Sequence, residues 1–367
     1  MRPANCIQLQ GCNFVKASWG RGSVSGTSGQ STAGSILGAS HKHSRNLVIV
    51  RAGDTSLHEN WLAGPDERNW DILVSYFGDD PHRFRGENIV RIDAKGPKWP
   101  VLHDLIHQYQ MDILQYDYIW LPDDDLAADT KTINRIFDFC AALQLELAQP
   151  ALTLNSYISH PITLVNHSFL MRYTNFVEIM APVFSRAFLQ RCAATFDENL
   201  SGHGLDYLWP TFSTEPYQIG ILDACQVRHT RPLGGPLYET IAQQGKSVAQ
   251  DLPEVLKKYG LTPSKAIFGG LDQAGRKLLL TDGHGRELIE AIVSGYLPAL
   301  AHSRDELIKL IRPILCFMAL QAAQENGMSA VSQSPAAGQQ PMRSPEVAAR
   351  LEADKASGLQ EYAQNSA

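Results

Sequence analysis

The chain has 367 residues, 44% hydrophobic and 19% charged, with 38 acidic against 32 basic side chains and a net charge of −6. That length holds one large domain or two smaller ones. The acidic balance argues against a nucleic-acid binder, which needs a basic footprint for phosphate contacts. No run of about 18 apolar residues reads as a membrane-spanning helix. Six scattered cysteines without a CxxC pair point to reduced, mostly buried thiols and a cytoplasmic protein, with an oxidised pair left open.

Residues 1–45 are rich in Ser and Gly, carry several Lys and Arg, and contain no Asp or Glu. They read either as a disordered leader or over-extended start, or as an organellar transit peptide; a secretory signal would need an apolar core. Ordered structure is expected from Asn46. Leu47 to Val50 is a buried-type strand followed by the turn Arg51-Ala52-Gly53-Asp54. Asp71 to Phe77 reads as a second strand and Ile89 to Ile92 as a third. Pro100 can open a helix with Val101, Leu102, Leu105, Ile106 and Tyr109 on one face. Tyr116 to Leu121 is the next strand. Thr130 then serves as N-cap of a helix to about Leu147, with Ile133, Ile136, Phe137 and Cys140 at helical spacing.

Phe176 to Phe196 forms a second apolar helical block, and Ile219 to Leu222 a late strand. Strands alternating with helices predict an α/β domain built on a mostly parallel sheet flanked by helices. Past Glu239, Leu252 to Tyr259 and Arg286 to Leu320 are helical in pattern with Gly-rich turns between. Beyond Gln321, Ala, Gln, Ser and Pro dominate, as in a poorly ordered tail. The expected division is a leader (1–45), an α/β domain (46–238), a mainly helical extension (239–320) and a tail (321–367).

Three motifs carry chemistry. The aromatic strand Tyr116-Asp117-Tyr118-Ile119-Trp120 runs into Pro122-Asp123-Asp124-Asp125, and in open α/β sheets ligands bind beyond the carboxyl ends of strands. In an extended backbone, Asp123 and Asp125 lie on one face, roughly 6–7 Å apart, with Asp124 turned away. They can hold Mn²⁺ or Mg²⁺ together with substrate phosphates, or they can be an acidic turn opening a helix. In Ser201-Gly202-His203-Gly204-Leu205-Asp206, flanking glycines let backbone approach a ligand. Asp206 is there either a general base raised by desolvation or a helix cap. His229, after the late strand, is either a metal ligand or a structural histidine. Its neighbours Arg228 and Arg231 can meet phosphate, as can Lys95 and Lys98 unless they form a solvated loop. No HExxH occurs and no GxGxxG follows the first strand; Gly245-Lys246-Ser247 lacks the first glycine of a P-loop.

Taken in order, these motifs resemble nucleotide-sugar glycosyltransferases of the GT-A type. More closely, the chain is similar to the family known as domain of unknown function 707. The similarity is carried by Lys95-Gly96-Pro97-Lys98-Trp99, Tyr116 to Trp120 with the acidic run, Phe176 to Arg186, Gly204-Leu205-Asp206, Gly220 to Asp223, and His229. It covers about residues 46–238. Asp124 stands where a Glu is usual, Pro122 where a Trp or similar residue is, and His203 where a Trp often stacks on the acceptor.

The resemblance implies a metal-dependent, inverting glycosyltransferase using a nucleotide-sugar donor and an acceptor it does not identify. Asp125 and His229 would hold Mn²⁺ or Mg²⁺. Asp123 would contact ribose, or the metal through water. Arg51 and Lys98 would contact the nucleotide and its phosphates. Asp206 would be the base, with Glu178 and His203 on the acceptor side. Two alternatives belong to other classes: a non-catalytic glycan- or nucleotide-binding module, and a metal-dependent phosphotransferase or hydrolase with Asp123 as nucleophile.

Overall fold

A computed structural model describes residues 44–64, 67–86, 89–215, 217–232, 248–300 and 312. An 11-stranded sheet organises them. Its strands are β1 (Asn46–Ala52), β2 (Trp70–Tyr76), β3 (Val90–Asp93), β4 (Tyr118–Trp120), β5 (Leu126–Ala127), β6 (Leu147–Leu152), β7 (Phe169–Thr174), β8 (Val183–Ser185), β9 (Ile219–His229), β10 (Ile267–Asp272) and β11 (Lys277–Leu279). Ten follow the order β11-β10-β7-β9-β6-β8-β4-β1-β2-β3, and β5 pairs with the end of β9. Parallel ladders join β1 to β2 and β4, β2 to β3, and β6 to β9; the others are antiparallel. The expected α/β class holds.

Every residue of β1 is buried, as in a central parallel strand covered on both faces. Its period-two alternation sends Val48, Val50 and Ala52 into one core layer with Trp120 and the α4 (Thr130–Ala142) residues Ile133, Ile136 and Phe137. Leu47 and Ile49 enter the opposite layer with Ile119, Leu121 and the α2 (Lys98–Gln108) residues Trp99, Leu102 and Leu105. Two short helices, α1 (His58–Leu62) and α3 (Gln110–Ile113), precede β2 and β4.

Several boundaries differ from the sequence reading. Asp129, rather than Thr130, caps α4, accepting from Thr132 N at 2.7 Å; Thr130 Oγ1 donates instead to Trp61 O. The helix stops at Ala142 because Gln144 takes a positive φ of 53°. That lets Leu145 N–H return to Cys140 O at 3.0 Å, so Leu147 begins β6. Only part of the block 176–196 is helical. Pro182 disfavours a helix upstream, Val183 to Ser185 pair with β4 and β6, and Ser185 caps α5 (Arg186–Cys192) through Phe188 N.

The region after Glu239 holds α7 (Val248–Tyr259), the β10–β11 hairpin and α8 (Gly285–Leu300). The hairpin replaces the expected Gly-rich turns, and β10 pairs with β7, so the sheet extends beyond residue 238. Residues 1–43, 301–311 and 313–367, which include the leader, the tail and most of the expected helix past Leu300, lie outside the described residues. Among the described residues, no helix is long and apolar enough to cross a membrane, and Cys140, Cys192 and Cys225 are buried free thiols.

Candidate functional site

The acidic run leaves β4 at the carboxyl end of the parallel β1–β4 pair. Leu121 N and Asp123 N donate to Pro182 O and Met180 O at 2.9 and 2.8 Å, which staples the run to the segment ahead of β8. The backbone then turns at Asp124 and Asp125 instead of remaining extended. Each carboxylate takes its own hydrogen-bond or ion-pair partners, while the Asp123 and Asp125 charges act on one another and on His229.

Asp123 Oδ1 accepts from Lys98 Nζ at 2.6 Å, and the same ammonium donates to Ile179 O and Met180 O. Desolvation raises the Asp123 carboxyl against the pull of Lys98. Asp124 is 8% exposed and bridges two loops. Its Oδ2 accepts from Gly53 N at 2.8 Å, and its Oδ1 from Arg231 Nη1 at 3.0 Å. Asp125 Oδ2 lies 3.2 Å from His229 Nε2, while its Oδ1 is buried without a hydrogen-bond partner.

The β5–β9 ladder joins Asp125 and His229, which are distant in sequence, by pairing Leu126 with His229. Thr230 adds bonds from N and Oγ1 to Asp125 O. His229 Nδ1 is 2.8 Å from Tyr157 O; a carbonyl only accepts, so Nδ1 carries a proton. Desolvation would lower His229, but Asp125 outweighs it and the imidazole is raised to about 9.

Asp125 and His229 are the residues here that could hold a divalent cation. The Tyr157 carbonyl holds the proton on Nδ1 and so orients the ring. A cation would displace the proton that Nε2 shares with Asp125 Oδ2, and Asp125 Oδ1 would add a hard oxygen with an unclaimed lone pair. Among the described residues no three His, Cys, Asp or Glu side chains form a complete ligand set. A site of this kind takes its remaining oxygens from substrate phosphates and water.

Arg51 is 4% exposed, and its guanidinium donates to Ser75 O, Ser75 Oγ, Ala94 O and Gly96 O. Burial lowers it to about 10. It thus fastens the loop that leads into Lys98. Phe77 lies beside it, 39% exposed, with its ring 5.2 Å from the guanidinium carbon.

A second group of ionisable residues lies around Asp206. Gly202 and Gly204 take φ of 82° and 96°, left-handed values that favour glycine, and they lead into α6 (Leu205–Leu208). Asp206 is 4% exposed. Desolvation raises its carboxyl to about 7, against Lys265 and nearby backbone N–H groups. Its Oδ2 is 3.7 Å from His160 Nε2, and His160 Nδ1 is 2.6 Å from Lys265 Nζ. Burial lowers Lys265 to about 8, with Asp206 and Glu178 opposing.

Glu178 is also buried, and desolvation raises it to about 7; the charges of His229, Asp206 and Lys265 all act on it. It therefore links the two groups electrostatically, and its Oε2 has no hydrogen-bond partner. His203 N donates to Ser201 Oγ and its carbonyl accepts from Asn199 Nδ2; burial lowers its imidazole. The sequence reading missed His160 and Lys265. Lys265 was invisible because it lies past residue 238 and reaches the site only through the β7–β10 pairing.

No protein-family model matches the chain, and a search of curated proteins gives no match. Among solved structures, S. aureus TarS 1–349 in complex with UDP-GlcNAc is similar at 13% identity, covering 58% of this chain and 65% of that one, with a TM-score of 0.39. Full S. aureus TarS is similar at 11% identity, covering 77% and 54%, with a TM-score of 0.35. GalNAc-T7 with UDP, GalNAc and Mn²⁺ is similar at 7% identity, covering 58% and 47%, with a TM-score of 0.42. The matches span less than two thirds of each neighbour's length. Likeness at this level transfers no ligand and no activity.

Proposed function

We propose that this protein is a divalent-cation-dependent transferase that uses a nucleotide-sugar donor. The observation that carries the reading is Asp125, whose Oδ2 faces His229 Nε2 while its Oδ1 is buried and unpartnered, with the desolvated carboxylates Glu178 and Asp206 in the same electrostatic network. One group suits metal-diphosphate binding and the other proton removal, the two tasks of a cation-assisted glycosyl transfer by displacement.

Asp125 and His229 would hold Mn²⁺ or Mg²⁺. When bound, the cation supplies Lewis-acid stabilisation of the departing diphosphate. Asp123, held by Lys98, is the candidate partner for a ribose hydroxyl, and Lys98 itself carries charge for the phosphates. Arg51 acts through the 94–98 loop it fastens, while Phe77 offers a ring face to the base. On the acceptor side, Asp206 takes the hydroxyl proton as that oxygen bonds to the anomeric carbon. The bond from that carbon to the diphosphate oxygen breaks, its electron pair leaves with the diphosphate, and configuration inverts. A carboxylate raised to about 7 is matched to this work at neutral pH. Glu178 and His203 line the same side.

The test is turnover of a panel of nucleotide sugars with Mn²⁺, read as release of nucleoside diphosphate. The wild type should release it. Asp206→Asn should lose at least about 100-fold in kcat, the usual scale for a general base, while still binding donor. Unchanged kcat in that variant would remove Asp206 from its role. A trapped aspartyl-phosphate (an acyl phosphate) on Asp123 would identify a phosphotransferase or hydrolase instead. Metal-dependent nucleotide binding with no turnover by any donor would identify a binding module.

A further inference from the structure

We infer that Lys265 and His160 form a relay that positions Asp206: Lys265 fixes the tautomer of His160, and His160 turns its Nε2–H toward the Asp206 carboxylate. The inference rests on Asp206 being the base. The relay joins three separate parts of the fold. His160 precedes the short 3-10 turn Pro161–Thr163, Asp206 lies on α6, and Lys265 stands just ahead of β10.

The tautomer follows from donor counting. A lysine ammonium has donors and no acceptor, so at 2.6 Å from Lys265 Nζ the His160 Nδ1 must accept. The single proton of the neutral ring is then on Nε2, the atom 3.7 Å from Asp206 Oδ2. That distance is an electrostatic contact and not yet a hydrogen bond, as is common for catalytic pairs in the absence of substrate. Burial and the Lys265 charge both oppose protonation of His160, so the ring is neutral. Phe176 packs edge-on against the imidazole at 4.7 Å between centroids. The ammonium sits 4.7 Å from the Phe176 centroid and 5.6 Å from that of Tyr207, which holds both ends of the Lys265–His160 contact.

The other titratable groups acting on this relay are His203, which opposes the charge on His160, and Glu178, which couples to Asp206 and Lys265. Asp251 acts on His203 in turn. No proton has to cross the relay. The acceptor proton ends on Asp206, while His160 orients one carboxylate oxygen and the Lys265 charge favours the anion. The segment around β10 thereby supplies part of the reacting apparatus from beyond residue 238.

The test needs no substrate. In the full chain with ¹⁵N-labelled histidine, long-range proton–nitrogen correlation reads the His160 tautomer, and ¹³C-labelled Asp carboxyls read Asp206, assigned with Asp206→Asn. The wild type should show the neutral Nε2–H tautomer at pH 7. In Lys265→Met the tautomers should mix, and the Asp206 midpoint should rise by about one pH unit or more as the opposite charge is lost. A wild-type Nδ1–H tautomer would overturn the relay without any variant having to fold. An unchanged tautomer and midpoint in folded Lys265→Met would overturn it too. Absence of nucleotide binding would sink the transferase reading while leaving the tautomer result intact, so the two failures are distinguishable.

Discussion

Glu178 is a carboxylate held in a place that disfavours its charge, and that has a measurable sign. Its folded value is raised to about 7 by desolvation, so the folded state binds more protons than the unfolded state between about pH 4.5 and 7. Its contribution to stability therefore falls as pH rises through that window. Glu178→Gln should raise the melting temperature at pH 8, by an amount worth about 1–3 kcal/mol, and have little effect near pH 4. A lower melting temperature at pH 8 would contradict the desolvated-charge account. His58 has the opposite sign. Burial lowers it to about 4, so the stability it allows at neutral pH is lost as pH falls from about 6.5 toward 4. A His58 variant with a neutral isostere, His58→Gln, should flatten that acid limb in melts recorded from pH 7 to pH 4.

Among the elements, β7, β9 and α8 meet at one buried ion pair. Arg172 on β7 and Asp223 on β9 meet through two bonds of 2.8 and 2.9 Å, with both side chains fully buried. Arg172 also donates to Ile162 O, Leu164 O and the Tyr296 hydroxyl of α8. Removing one partner strands the other in a dry interior, so Arg172→Met should cost about 3–5 kcal/mol in denaturant unfolding. Replacing both partners by apolar residues should cost less. Gly295 in α8 gives a second check with an unusual sign. An exposed helical Gly→Ala change normally stabilises by about 1 kcal/mol, but a Cβ here would overlap the Asn166 side-chain amide. That amide donates to Ile292 O at 2.9 Å. Gly295→Ala should therefore destabilise, and a gain in stability would contradict this packing of α8.

Across the whole molecule, local pattern located the strands near the site and long-range pairing determined which residues meet there. The apolar runs of β1, β2 and β9 and the acidic run after β4 were visible because each is a short stretch whose composition has few alternatives. The end of α4 was missed because it depends on the backbone conformation of Gln144, a residue with no strong turn preference. The pairing of Asp125 with His229 depends on β5, only two residues long, and Lys265 depends on the hairpin's attachment to β7. The turn at Asp124 and Asp125, which gives the three carboxylates separate partners, is something an assumed extended strand could not reveal.

If Asp125 and His229 hold a cation whose coordination a nucleoside diphosphate completes, thermal unfolding with UDP and Mn²⁺ should show it. At a hundredfold excess over Kd, ligand binding to the folded state stabilises by about 2.7 kcal/mol. The wild type should show a clear rise in melting temperature with UDP and Mn²⁺ together, and Asp125→Ala and His229→Ala should lose that rise. If UDP–Mn²⁺ leaves the wild type unshifted and no other nucleoside diphosphate replaces it, or if both variants keep the full shift, the assignment of the site is wrong.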